Sequence, residues 1–119
     1  MDAFPDFMMN PVNRIDTGSQ YTKDIEGYVF DGADGSQMAF WTAYADRSST
    51  EHSHDYDEYL VVVQGEYVLL MDGERIVMGK GDEAYIPKGK AHGGEGRAGT
   101  RTIHAFGARR AEREKQRSE

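Results

Sequence analysis

The residues best suited to chemistry lie in the segment 52–58, HSHDYDE. Side chains two positions apart on a β-strand point to the same face, with their Cα atoms about 6 to 7 Å apart. The imidazoles of His52 and His54 are therefore able to bind one ion together. Glu58 has the same parity, but a straight strand would carry it about 13 Å beyond His54. A bend at positions 55–57 must return the chain before the Glu58 carboxylate can join the pair.

Composition limits what such a site can contain. The chain of 119 residues has no cysteine, so a metal ion would be held by His, Asp or Glu, and four histidines are available. Twenty-one acidic residues against 14 basic residues give a formal charge of −7, which disfavours nucleic acid and anionic membrane surfaces as partners. No apolar run approaches the ~18 residues that span a bilayer, and we expect a cytoplasmic protein.

The elements that must position these residues are short β-strands separated by turn residues. The Asp72-Gly73 pair between two apolar runs is typical of a β-hairpin. The predicted strands are 28–30, 38–44, 59–63, 67–71, 75–78, 84–86 and 100–106. Strands at this spacing, in a chain long enough for one domain, predict an all-β sandwich or barrel.

The two ends of the chain differ from this β region. Residues 1–25 are punctuated by proline, asparagine and glycine and predict an irregular arm, whereas residues 26–107 form the barrel domain. Residues 108–119, ARRAEREKQRSE, contain five basic and three acidic residues and no large apolar side chain. Because such a segment has no apolar face to bury, we expect a solvated, charged C-terminal tail.

The wider spacing resembles the cupin superfamily, and in particular its small single-domain bacterial members. Four positions match the first motif of that family, G-x5-H-x-H-x(3,4)-E-x6-G: His52, His54, Glu58 and Gly65. Four positions match the second motif, G-x5-P-x-G-x2-H-x3-N: Gly81, Pro87, Gly89 and His92. Two positions depart from the motifs, Asp46 at the leading glycine of the first and Gly96 at the asparagine of the second.

The resemblance implies a double-stranded β-helix, the jelly-roll barrel of RmlC-like cupins. It also implies one divalent transition metal ion per chain, held by His52, His54, Glu58 and His92. Iron, manganese, nickel, zinc and copper all suit three imidazoles and a carboxylate. Four protein ligands on an octahedral ion leave two positions open for small molecules, and no further cofactor is expected.

Two residues outside the ligand set are predicted to be catalytic. Alternation in strand 100–106 places Thr102, His104 and Phe106 on one face, but hydrophobicity alone does not say whether that face is the interior. If it is, His104 lines the pocket as a base or proton donor; if not, it is a surface or interface histidine. Tyr56 lies in the bend between His54 and Glu58, where its phenol would reach a bound substrate.

The predicted function is that of a metal-dependent enzyme acting on a small oxygen-bearing organic molecule. Its reaction would be of the dioxygenase or isomerase type, since similar cupins include both. The alternative is a non-catalytic module that binds a small molecule or a metal. Exposed strand edges favour a homodimer, because a second subunit would cover them.

Overall fold

The computed structural model describes residues 1–20 and 24–115, and its described residues form nine β-strands. The strands are β1 (Ile25–Asp31), β2 (Gln37–Ala43), β3 (Arg47–Ser48), β4 (Glu58–Gln64), β5 (Tyr67–Met71), β6 (Glu74–Met78), β7 (Glu83–Ile86), β8 (His92–Gly96) and β9 (Arg101–Phe106). Three short 3-10 helices precede them, at Asp6–Met9, Pro11–Asn13 and Thr17–Ser19. None of the described helices is long and apolar enough to cross a membrane.

The strands form two antiparallel sheets. One has five strands in the order β1-β2-β9-β4-β7, and the other has four in the order β3-β8-β5-β6. Strands that are distant in sequence, such as β4 and β9, lie side by side, as a jelly roll requires. The predicted Asp72-Gly73 hairpin joins β5 to β6, and both turn residues have the positive φ angles that a tight hairpin needs, 57° and 73°. The all-β, jelly-roll prediction is confirmed.

The core lies between the sheets and consists of two clusters of buried side chains. One contains Ile15, Val29, Ala39, Trp41, Phe106 and Ala111. The other contains Leu60, Val62, Tyr67, Leu69, Met78 and Ile86. Alternation along β4 places Glu58 on the same inward face as Leu60 and Val62. The strand that supplies part of the apolar core therefore also carries a carboxylate into the interior.

Two of the nine strands are absent from the sequence prediction. The sequence of β8, HGGEG, reads as a glycine-rich turn. In the structure Gly94 is needed within β8, because a Cβ atom there would stand 2.0 Å from the Tyr67 hydroxyl. The other missed strand, β3, has only two residues and pairs with β8. Neither strand has the alternating apolar residues that identify a strand in sequence.

The arm and the tail pack on the barrel of their own chain. Ile15 and Ala111 are each 0% exposed and belong to one core cluster. The backbone of Ile15 forms a β-bridge with Arg113. This differs from the expectation of a solvated tail for residues 108–115. The tail has no apolar face, but it buries one small alanine and pairs its backbone groups with the arm. Residues 21–23 of the arm and 116–119 of the tail lie outside the described residues.

Replacing Arg113 with alanine is expected to lower the free energy of unfolding by about 1.5 to 3 kcal/mol, the range for hydrogen bonds that involve charged groups. Its guanidinium donates to Asn13 at 3.1 Å, to Asp31 at 2.8 Å and to the Val29 carbonyl at 2.8 Å. Urea unfolding measures the change. The control is Arg109→Ala, which removes an exposed pair with Glu112 and should leave the free energy of unfolding nearly unchanged, because solvent screens the pair. Equal effects would contradict a structural role for the tail.

Candidate metal centre

His52 and His92 face each other across a single β-bridge. The backbone of each residue donates a hydrogen bond to the carbonyl of the other, both at 2.9 Å. His92 is the first residue of β8, whereas His52 and His54 lie in the connection before β4 and not in a continuous strand. The bridge therefore brings His52 to His92, and the path of the loop, not the strand parity assumed from the sequence, brings His54 beside His52.

A bend at Asp55 and Tyr56 brings Glu58 back to His54, as the sequence analysis required. Nε2 of His54 lies 2.9 Å from Oε1 of Glu58, and Nε2 of His92 lies 3.6 Å from the same oxygen. Asp57 stabilises the bend, since its carboxylate accepts hydrogen bonds from the backbone of Lys88 at 2.9 Å and from the hydroxyl of Tyr85 at 3.1 Å.

Three of the four predicted ligands, His52, His54 and His92, form a group that could hold a metal ion. One ring nitrogen from each lies within 4.8 Å of the others. Their Nδ1 atoms lie 2.8, 2.9 and 2.8 Å from the carbonyl oxygens of Thr50, Tyr56 and Lys90, respectively. Because a carbonyl only accepts, each Nδ1 carries the hydrogen, and a neutral ring then presents the lone pair of Nε2.

The fourth predicted ligand, Glu58, is 5% exposed, and its two carboxylate oxygens face different side chains. Oε1 faces His54 and His92, while Oε2 accepts a 2.7 Å hydrogen bond from Nδ1 of His104. Burial acts to raise the pKa of the Glu58 carboxyl, but the close contacts with His104, His54 and His92 outweigh burial and hold that pKa below its ordinary value. Glu58 is therefore a carboxylate inside the barrel.

The electrostatic surroundings of the two bridged histidines differ. Burial lowers the pKa of His52 below its ordinary value, although the hydrogen bond to the Thr50 carbonyl opposes that effect. For His92, burial also acts to lower the pKa, but the contact with Glu58 outweighs burial and raises it. Glu58 is thus the group that favours positive charge at this centre.

His104 lies on the inward face of β9 with Thr102 and Phe106, which settles the face that the sequence left open. It is 8% exposed, lines the cavity beside the histidines, and has a partner at each ring nitrogen. Nδ1 donates to Glu58, and Nε2 lies 3.0 Å from the hydroxyl of Thr102. A neutral His104 ring donates to Glu58 and accepts from Thr102. Its immediate effect is to hold the Glu58 carboxylate in place.

Tyr56, the other residue predicted to be catalytic, packs against the ligand set. Its ring stacks on His54 with 4.0 Å between centroids and 2° between planes. Its hydroxyl accepts a 3.4 Å hydrogen bond from Arg110. The ring thereby fixes the orientation of His54, and the phenol is directed toward Arg110.

A cavity of about 60 Å³ adjoins the centre. Its apolar wall includes Trp41 and Phe106, and its cationic side includes Arg47 and Arg110. Tyr67 also lines the cavity, and its burial raises the pKa of the phenol to about 12, so this hydroxyl stays protonated at neutral pH.

Three residues that line this cavity are not among those predicted from the sequence: Arg47, Arg110 and Tyr67. Tyr67 is the first residue of an apolar strand, a position that is typical of core packing. Arg110 was placed in the solvated tail. Arg47 follows Asp46 and begins the two-residue strand β3, which is too short to show a pattern. No sequence signal distinguishes it from the other arginines.

Several solved structures resemble this fold, at identities that establish the fold alone. An RmlC-like cupin from Shewanella frigidimarina NCIMB 400 has a TM-score of 0.70 and 19% identity, over 87% of this chain and 86% of that chain. KdgF from Halomonas sp. has a TM-score of 0.67 and 20% identity, over 81% and 93%. The polyketide cyclase RemF from Streptomyces resistomycificus has a TM-score of 0.65 and 20% identity, over 80% and 71%.

A comparison with curated proteins finds no match. A comparison with family models, however, agrees with these structural similarities. The family model of the cupin domain matches residues 40–106, which is more than half of the chain and includes all four predicted ligands. Strands β3 to β9 and the inward-facing histidines lie in the same range, whereas β1 and the start of β2 precede it. The chain belongs to the cupin domain family.

Proposed function

We propose that the protein binds one divalent transition metal ion through His52, His54, Glu58 and His92. The observation that carries this proposal is the 2.9 Å approach of His54 Nε2 to Glu58 Oε1. Since Nδ1 of His54 already donates to the Tyr56 carbonyl, a neutral ring and a carboxylate would meet there lone pair to lone pair. A proton or a cation must lie between them, and two more imidazole nitrogens nearby favour a metal cation.

The donor set fits a transition metal better than calcium or magnesium. Three imidazole nitrogens and one carboxylate oxygen suit iron, manganese, nickel, zinc or copper, whereas calcium and magnesium prefer oxygen ligands throughout. Such an ion, when bound, supplies Lewis acidity toward a substrate oxygen or, if redox-active, chemistry with dioxygen.

We infer that the protein is an enzyme acting on a small oxygen-bearing organic molecule, in a dioxygenase or isomerase type of reaction. Trp41 and Phe106 would exclude water from one side of such a molecule, and Tyr67 would donate a hydrogen bond to an oxygen atom. One protein of similar fold is a polyketide cyclase, which supports chemistry on an oxygen-bearing molecule in this fold. The second candidate is a non-catalytic binding module, which is favoured by the small volume of the cavity, about 60 Å³.

His104 and Tyr56 have roles in this proposal that differ from direct proton transfer. Because both ring nitrogens of His104 already have partners, His104 acts as a positioning residue for Glu58. Tyr56 positions the ring of His54 by stacking. A homodimer and a cytoplasmic location remain predictions.

Elemental analysis of the purified protein tests the metal proposal, and we expect about one transition metal ion per chain. Removal with a chelator should be reversible, and adding the metal back should raise the unfolding temperature, because an ion that binds only the folded state stabilises it. The His52→Ala/His54→Ala double variant should lose the ion. Undiminished metal in that variant would overturn the ligand assignment.

Oxygen consumption and product analysis then separate the two candidates. Metal-loaded protein is tested against diketones, catechols and sugars, with metal-free protein as the control. Turnover that requires the metal supports an enzyme. Ligands that raise the unfolding temperature of the metal-loaded protein without being converted support the binding module.

A further inference from the structure

Arg47 is a half-buried cation with one buried N–H group that lacks a partner in the described part of the chain. Its Nε atom is buried and has no hydrogen-bond partner. None of the ion pairs formed within residues 1–20 and 24–115 includes Arg47. Its guanidinium carbon lies 5.9 Å from the centre of the Tyr67 ring. A buried N–H group without an acceptor is costly, so this arrangement needs a functional explanation.

Nearby acidic residues do not supply the missing partner. Asp46, Glu66 and Glu95 line a groove on the outer side of Arg47. Their carboxylates instead approach two exposed arginines: Arg97 lies 3.6 Å from both Asp46 and Glu66, and Arg75 lies 2.8 Å from Glu95. These two exposed arginines thus reach carboxylates, whereas the buried Nε of Arg47 has no acceptor in the described part of the chain.

The position of Arg47 connects it to the candidate metal centre. It lines the same cavity as His52, Glu58 and His92. In β3 it pairs with Gly96 of β8, where a Cβ atom would stand 3.5 Å from the guanidinium. Position 96 is one of the two departures from the cupin motifs, and Asp46, beside Arg47, is the other. A side chain longer than one carbon at 96 would occupy the space used by Arg47.

We propose that Arg47 binds the carboxylate of a small organic acid whose other oxygen atoms bind the metal ion, so that the substrate class of this cupin is a small carboxylate. The inference rests on the proposed metal centre. A divalent ion and the Glu58 carboxylate together leave one net positive charge, and Arg47 and Arg110, which line the same cavity, add two more. A guanidinium presents paired N–H groups that match the two oxygens of a carboxylate. The small cavity and the one buried arginine Nε that lacks an acceptor among the described residues favour a carboxylate over a phosphoryl group.

The first experiment uses metal-loaded protein and calorimetric titration. The probes are oxalate, malonate and succinate, each compared with its half-amide, which keeps the size but removes one charge; inorganic phosphate is included. We expect at least one dicarboxylate to bind about 10-fold or more tightly than its half-amide, as for a charge-assisted hydrogen bond. Arg47→Met should abolish that preference and retain the metal, and Arg97→Met, the matched control, should keep both.

Two results would overturn the inference: an Arg47→Met protein that keeps the wild-type preference, or tighter binding of phosphate than of every dicarboxylate. The second measurement needs no metal. The Nε–H signal of Arg47 in metal-free wild-type protein, assigned by its loss in Arg47→Met, should shift with the preferred dicarboxylate and not with its half-amide. If the protein binds no metal, that shift still decides the role of Arg47. If metal binds and the signal does not move, only the Arg47 inference fails.

Discussion

Replacing His92 with alanine is expected to weaken metal binding by more than about 100-fold, since loss even of the groups that support a ligand costs 10- to 100-fold. His92 supplies one of three convergent imidazoles and is 4% exposed. Because the position is buried, water has little access to replace the lost imidazole. The barrel should remain folded, because the hydrogen bonds between His92 and His52 in the bridge use backbone atoms. A competition titration with a chromophoric chelator measures the affinity.

A second substitution in β8 serves as the control for this variant. Glu95 lies three residues further along and pairs with Arg75 at 2.8 Å on the protein surface. Glu95→Gln should leave the metal affinity unchanged. If His92→Ala binds metal as tightly as Glu95→Gln, His92 is not a ligand.

Replacing His104 with alanine is expected to weaken metal binding by about 10- to 100-fold, less than the loss of a ligand. The reason is the 2.7 Å hydrogen bond from His104 Nδ1 to Glu58 Oε2, which holds the carboxylate with its other oxygen toward His54 and His92. Without it, Oε2 would be buried with no donor, and Glu58 would be free to rotate. The same chelator competition measures the change.

The conservative variant separates this positioning role from a general loss of packing. The amide nitrogen of asparagine can replace Nδ1 as a donor, so His104→Asn should recover most of the metal affinity that His104→Ala loses. Equal loss in the two variants would contradict the positioning role. Once a substrate is known, a further turnover loss of about 10²- to 10⁴-fold at saturating metal would instead identify His104 as the acid or base that the sequence analysis predicted.

Local sequence patterns were sufficient for most strands and for the proposed ligand set. The strands with apolar alternation lie close to their predicted positions, and the Asp72-Gly73 hairpin lies where turn chemistry places it. His52, His54 and Glu58 lie within one segment of seven residues, so the bend between them depends only on local sequence. The strands β3 and β8 were missed because short or glycine-rich segments become strands only when a neighbouring strand supplies hydrogen bonds.

Features that depend on distant parts of the chain required the tertiary structure. Alternation divides β9 into two faces, but only its pairing with β2 and β4 determines that His104 points inward toward Glu58. The tail looks fully polar in composition, yet Ala111 is buried because the arm and the barrel surround it.

Arg47 shows most clearly the difference between what the sequence determines and what only the fold determines. By itself the sequence determined the family, seven of the nine strands and the spacing of the four proposed ligands, since these depend on residue type and short-range geometry. It did not distinguish Arg47 from Arg75 or Arg97, because all three are arginines near acidic residues in a charged chain. Only the fold decided that two of them reach carboxylates at the surface while Arg47 lines the cavity beside the histidines with its Nε atom buried. Ion pairing depends on distances in space, which residue type alone does not specify.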